Sequence, residues 1–330
     1  MTEAKQRDFY IDTVRGLCVF AIIFVHTVFF SGEDYLPNFV RNIALFFDIP
    51  AFFFLTGCTI SVHKSVNPVK QMAKLLIVFF IVFFVLHLFS GSYYSKVILP
   101  LLLHEINLNL FPVFSDAYWF VPVYIVGLLY AVIVINYLKR YFLLFLLLIV
   151  PVIYIVSWFY TYPFGYEVLG LKFQQVLFYF WLILLGFHLY NKDSKQRLLF
   201  GIFLVLSAVI GSVYLDVFSL KLQLYKFPVV KLPYFVISMF SVGLILIFVR
   251  EVKENFVSKI GENAIYYYAS QGISSSLIFL LAKHISCNIW CKLFVCYVLN
   301  CVTALILGYI IFKLFKTFGN YLVAEDKRLF

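Results

Sequence analysis

Charge is what this sequence has least of: Asp, Glu, Lys and Arg together make up 13% of its 330 residues. A water-soluble fold needs roughly a quarter of its residues charged to cover its surface, and 64% of this chain is hydrophobic, with a mean hydropathy of +0.98. Length alone would permit two soluble domains, but no fold in water could hide that much apolar surface. Acid is scarcer than base, 16 residues against 26, for a net charge of +10. The basic residues sit in small groups between apolar runs and form no continuous face, which argues against nucleic acid and for membrane orientation. Six cysteines form no disulfide framework and match no zinc spacing: Cys18 and Cys58 fall inside apolar runs, and Cys287, Cys291, Cys296 and Cys301 cluster around the last one. No metal is expected.

What is abundant is apolar sequence of spanning length. About 20 helical residues cross the hydrocarbon core, and runs of that kind recur near 14–31, 39–62, 71–90, 117–136, 141–159, 171–190, 197–215, 231–250, 262–282 and 292–315. The expectation is an all-α polytopic membrane protein of about ten helices, one membrane domain over 1–330 with no appended soluble domain. The first run follows Lys5 and Arg7 as a secretory signal would, but Asp8, Asp12 and Arg15 crowd its start and many runs follow. It reads as a retained span. Lys and Arg then orient the bundle: eighteen fall at one set of ends and eight at the other, which predicts both termini in the cytoplasm. Tyr93, Tyr94, Tyr118, Trp119, Trp158, Tyr160, Tyr162 and Trp290 fall near the predicted outer ends, where amphipathic rings settle. The segment 97–113, apolar but broken by Pro100, His104, Glu105 and Asn107, reads as an interfacial or re-entrant piece on the outer side.

Strongly polar side chains at bilayer depth are costly, so each is a functional candidate. His26 follows Arg15 by eleven residues in the first run. Eleven residues make close to three turns, about 16 Å along the axis, and keep both side chains on one face. An imidazole there can take a proton from a hydroxyl, and an Arg at the cytoplasmic mouth can hold phosphate; a structural His bonding a neighbouring helix fits the spacing equally. Asp48 stands two residues before Pro50 in FFDIPAFFFLTG. Proline frees a carbonyl there, and the carboxylate suits a polar cavity, where it would orient His26 or bind a sugar hydroxyl, or else a pairing with another helix. Thr56 and Gly57 close that stretch with small residues that allow tight packing. Trp119 and Pro122, in DAYWFVPVY, place a ring and a kink at an outer end, for stacking on a sugar or for anchoring. Gln271, with Ser270 and Ser274 to Ser276, makes the ninth run polar at its middle, as helix glue or as substrate contact. Lys70 and Lys74, one turn apart and preceded by Lys64, are candidates for a nucleotide's phosphates beside Arg15; the positive-inside bias accounts for them as well.

These residues resemble a family. RDFYIDTVRGLCVFAIIFVH is similar to the first span of the acyltransferase-3 membrane proteins, with Asp12, Arg15, Gly16 and His26 at the pattern positions. IPAFFFLTGCTI looks like the family's Pro-x-Phe-Phe-Phe-x-Ser-Gly stretch, YWFVPVY like its Trp-Phe-x-Pro segment, and KIGENAIYYYASQ like its Ile-Gly-x-Asn-Ser ending. The resemblance implies that an acyl group, usually acetyl, passes from cytoplasmic acyl-CoA to a hydroxyl of a glycan presented within or across the membrane. The compact bacterial surface-polysaccharide O-acetylases, labelled fucose 4-O-acetylase-like, are closest in character, which implies a bacterial inner membrane. It further implies acetyl-CoA phosphates near Arg15, Lys70 and Lys74, His26 as general base or transient acyl carrier, Asp12 orienting Arg15, Asp48 on the acceptor side, and Trp119 and Gln271 toward substrate. Gln271 stands where many members carry His, and Thr56 replaces the common Ser. The partners expected are acyl-CoA, the glycan and lipid, with no nucleic acid. The competing class is a secondary transporter or glycan flippase, also built on midplane polar residues, though no pair of matching half-sequences supports it. A membrane scaffold would leave Asp48 and His26 without purpose.

Overall fold

The computed structural model describes residues 7–32, 35–63, 68–90, 118–159, 171–226 and 230–324, with Val113 and the pair 167–168. The segment 97–113 therefore lies outside the described residues, except Val113. Within them the chain is helical: α1 (Phe9–Phe30), α2 (Asn38–Leu45), α3 (Pro50–His63), α4 (Pro68–Ser90), α5 (Phe120–Asn136), α6 (Phe142–Phe159), α7 (Phe173–Tyr190), α8 (Ser194–Tyr214), α9 (Leu232–Ile247), α10 (Phe256–Glu262), α11 (Ala264–Ala282) and α12 (Ile289–Ala324). A two-residue antiparallel pair, Glu167–Val168 with Leu171–Lys172, a 3-10 turn Lys139–Tyr141 and a helical turn Gln223–Lys226 complete the described elements.

Helix occupies each apolar run read from the sequence, with one break. The run expected over 39–62 is α2 and α3 separated at 46–49, because Pro50 has no N–H to give and disfavours helix in the residue before it. Phe46 and Phe47 close α2 with bonds to the carbonyls of Ile43 and Ala44, and Asp48 and Ile49 accept the first bonds of α3 from Ala51 and Phe52. Pro122 sits in the first turn of α5, where proline begins a helix instead of kinking it. By length and composition, four helices among the described residues suffice to cross a membrane, or up to five if α5 and the helix after it, bent from it by 100°, form one span. Large apolar side chains stand outward along α6, α8 and α12, among them Leu147, Phe203, Phe294 and Val213, the last 73% exposed. Water would penalise that surface; hydrocarbon is its natural solvent.

The chain divides into two compact units: Met1–Val25, Leu36–Val66 and Phe120–Glu262 in the first, and His26–Tyr35, Asn67–Trp119 and Asn263–Phe330 in the second. In the first, α3 lies along α7, α5 and α6 pack on α7, and α8 pairs with α9. Phe53, Phe54, Phe178, Tyr179 and Tyr234 fill its interior, with Phe53 and Tyr179 rings 4.4 Å apart. The α3–α7 crossing depends on two glycines. A Cβ at Gly57 would run into the Ile183 carbonyl, and one at Gly186 into that of Phe54. Gly186→Val is accordingly expected to force the helices apart and cost about 1–3 kcal/mol or more, read as a lower thermal midpoint of the detergent-solubilised protein. In the second unit α4, α11 and α12 pack together, with Tyr267 against Gly308 and the Ser270 hydroxyl donating to the Ala304 carbonyl at 2.8 Å.

Candidate functional site

The start of α1 carries a polar network within the first unit. Asp8 caps the helix, accepting from the backbone N–H groups of Tyr10 and Ile11 at 3.0 and 3.2 Å. Its other oxygen accepts from the Tyr190 hydroxyl at 2.5 Å. One turn on, Asp12 is buried and takes the Arg7 guanidinium at 2.7 Å, while Arg7 also reaches Glu262 at 2.6 Å. Glu262 first, and then Asp12, hold the Arg7 proton more firmly than usual. Arg15 donates to the Thr59 hydroxyl at 2.5 Å and lies 3.9 Å from Asp12, so one guanidinium edge is oriented by α1 and α3 together. The small residues beside these charges bring the backbones together. A Cβ on Gly261 would strike the Asp12 carbonyl, and one on Gly16 the Val257 carbonyl. Motif stretches at opposite ends of the sequence thus meet at Asp12, Arg15 and Gly16 on α1 and at Gly261 and Glu262 on α10.

Asp48 occupies a second constellation in the same unit. In the break between α2 and α3 it is 2% exposed and paired with the ammonium of Lys226, and the Tyr234 hydroxyl donates to it at 2.8 Å. Lys226 is itself buried, and the segment carrying it is tied down by side-chain amides. Asn42 donates to the carbonyls of Val217 and Leu220 at 2.9 and 2.8 Å, Gln175 to that of Lys226 at 3.2 Å, and Gln174 exchanges bonds with the backbone of Val230 at 2.8 and 2.7 Å.

His26 and Gln271 belong to the second unit. His26 is buried near the end of α1, its Nδ1 is 3.5 Å from the Ser275 hydroxyl, and its ring meets Phe30 edge-on at 5.9 Å. Gln271 is fully buried one turn before Ser275 on α11. Asn300 of α12, also fully buried, donates to Thr27 Oγ1 at 3.0 Å and to Ser275 Oγ at 3.3 Å.

The acyltransferase-3 family model, an acyltransferase domain, matches residues 8–313. The chain belongs to the acyltransferase-3 family. Neither a curated protein nor a solved structure matches it. The match runs from Asp8, the cap of α1, into the last turns of α12, and so takes in every constellation described above except for Arg7. As a member of this family with long apolar helices, the protein is an integral membrane acyltransferase.

Of the site residues expected of this acyltransferase-3 chain, Asp12 and Arg15 stand together in the first network, and Asp48 stands in its own ion pair. His26 and Gln271 flank the Ser275 region of the second unit. Trp119 is buried just ahead of α5, beside Tyr118, whose hydroxyl donates to the Ala269 carbonyl at 2.5 Å. The Lys74 ammonium lies over the Tyr266 ring, 5.0 Å from its centre, and that ring packs against Phe312 and Phe315. The Lys70 side chain lies outside the described residues. Three participants were missed from sequence. Lys226 is one of the eight charges at the outer ends, and Thr59 and Asn300 are not singled out, although an amide inside VLNCVTALIL is a visible signal of buried polarity.

Proposed function

We propose that this protein is a membrane O-acyltransferase that moves an acetyl or other short acyl group from cytoplasmic acyl-CoA to a hydroxyl of a surface or lipid-linked glycan. It works in a bacterial inner membrane as a bundle of about ten spans with both termini cytoplasmic, in the manner of the compact polysaccharide O-acetylases. The observation that carries this reading is α1 itself, one uninterrupted helix bearing Arg15 in an oriented polar network and His26 three turns deeper on the same face. Acyl-CoA brings phosphates to Arg15, with Lys70 and Lys74 contributing charge, and its thioester extends along the helix toward His26. Asp12 holds Arg15 in place. His26 receives the proton that the acceptor hydroxyl must lose as its oxygen attacks the thioester carbonyl. Thioesters hydrolyse in water, and a helix bundle excludes it. Asp48 serves the acceptor side, and Trp119 and Gln271 face the glycan.

The test uses purified full-length protein and acetyl-CoA. Acetyl-CoA is expected to raise the thermal midpoint in a concentration-dependent way, and labelled acetyl should pass into the glycan-lipid fraction of membranes that contain the protein. Arg15→Gln should raise the acetyl-CoA concentration needed for half-maximal stabilisation by about tenfold or more, as expected when a charge-assisted phosphate contact is lost. An unchanged midpoint with acetyl-CoA and no transferred label would sink the reading.

A further inference from the structure

The second unit holds a fully buried amide that the reading above leaves unused. Asn300 sits within an apolar stretch of α12 and has no exposed surface. An amide at such a place is costly unless its polar atoms are engaged. Its Nδ2 gives both protons away, to Thr27 Oγ1 and to Ser275 Oγ, while Oδ1 meets no hydrogen-bond partner among the described residues; the amide so grips the chain neighbour of His26 and the hydroxyl facing the His26 ring. Ser275 differs from the serines around it. Ser270, Ser274 and Ser276 each donate to a carbonyl of the preceding turn of α11, whereas among the described residues no backbone carbonyl takes the Ser275 proton. Nitrogen Nδ2 can only donate, so Ser275 is the acceptor from Asn300 and keeps its own proton, which Nδ1 of His26, 3.5 Å away, can accept.

We propose that Asn300, acting through Ser275, fixes the tautomer of His26, with the ring proton on Nε2 and the lone pair of Nδ1 turned to the Ser275 hydroxyl. Asn300 is a positioning residue and Ser275 the relay. Taken with the acyl-transfer reading of His26, on which its catalytic consequence rests, the arrangement gives the proton a route. The acceptor hydroxyl passes its proton to Ser275 Oγ as Ser275 passes its own to Nδ1. The acceptor oxygen bonds to the acyl carbon, the thioester C–S bond breaks, and the proton gained at Nδ1 returns through Ser275 to the CoA thiolate, which restores the Nε2–H ring.

The test is nitrogen NMR of the full-length protein, 15N-labelled at histidine, in lipid nanodiscs, with the His26 signals assigned by their loss in His26→Gln. The parent protein should show a protonated Nε2 and a bare Nδ1. Asn300→Leu and Ser275→Ala should each release the ring into a mixture of tautomers, and the double variant should match the singles because both act through one contact. A parent ring protonated on Nδ1, as an amide turned the other way would produce, overturns the proposal. So does a ring that keeps its tautomer in both variants. Ser275→Ala keeps the test in force if Asn300→Leu folds poorly, since Ala suits a helix. Either variant should also lower transfer from acetyl-CoA by about 10- to 100-fold with KM for acetyl-CoA little changed; undiminished transfer in both removes the relay. Full transfer by His26→Gln would instead overturn the functional reading and leave the tautomer result standing, so the two failures are separable.

Discussion

His26→Ala and His26→Gln are expected to abolish O-acylation while the protein still inserts and folds. General acid–base groups contribute about 10²- to 10⁴-fold to a rate, and the loss here should lie toward the upper end, because a hydroxyl left to itself is a poor nucleophile at neutral pH. Stability should change little by comparison. The Thr27–Asn300 bond beside the buried ring does not depend on the imidazole. The measurement is the O-acetyl signal of the surface glycan in cells carrying each variant, alongside the elution profile of the purified protein. A full O-acetyl signal from a well-folded His26→Ala protein would remove His26 from the chemistry.

The second large effect concerns stability. Lys226→Met leaves the Asp48 carboxylate buried with the Tyr234 hydroxyl bond set against its desolvation, and Asp48→Asn takes the carboxylate counter-charge from the buried Lys226 ammonium. Breaking a buried pair from one side typically costs about 3–5 kcal/mol, whereas replacing both partners with neutral groups of similar size is often close to neutral. Each single variant should therefore unfold at a markedly lower temperature in detergent, and Asp48→Asn combined with Lys226→Met should recover most of the loss. Simple additivity of the two penalties would show that the pair is not coupled. The backbone of the Lys226 segment stays tied by Asn42, Gln174 and Gln175 in every variant, which confines the change to the charges.

The split between what was legible and what was not follows particular residues. The Arg15–His26 spacing could be read directly, because an unbroken helix converts a sequence interval into a fixed rise and rotation. The break before Pro50 was visible in part: proline announced an irregularity, while only the structure shows α2 ending at Leu45 and Asp48 left outside either helix. Gly57 was marked as a packing residue, and its partner Gly186, 129 positions along, was not. Nothing near Asp48 foretold Lys226, 178 residues away, because a charge in a low-dielectric interior takes whichever opposite charge the fold brings close.

The sequence by itself determined that this is a membrane protein and that its first helix carries an aligned Arg and His, since hydropathy and helical spacing are local properties of consecutive residues. The tertiary structure alone decided which groups those side chains meet: Thr59 for Arg15, Lys226 and Tyr234 for Asp48, and Ser275, held by Asn300, for His26. The physical reason is that a buried polar atom must be satisfied by a neighbour in space, and distance along the chain places no limit on where that neighbour comes from.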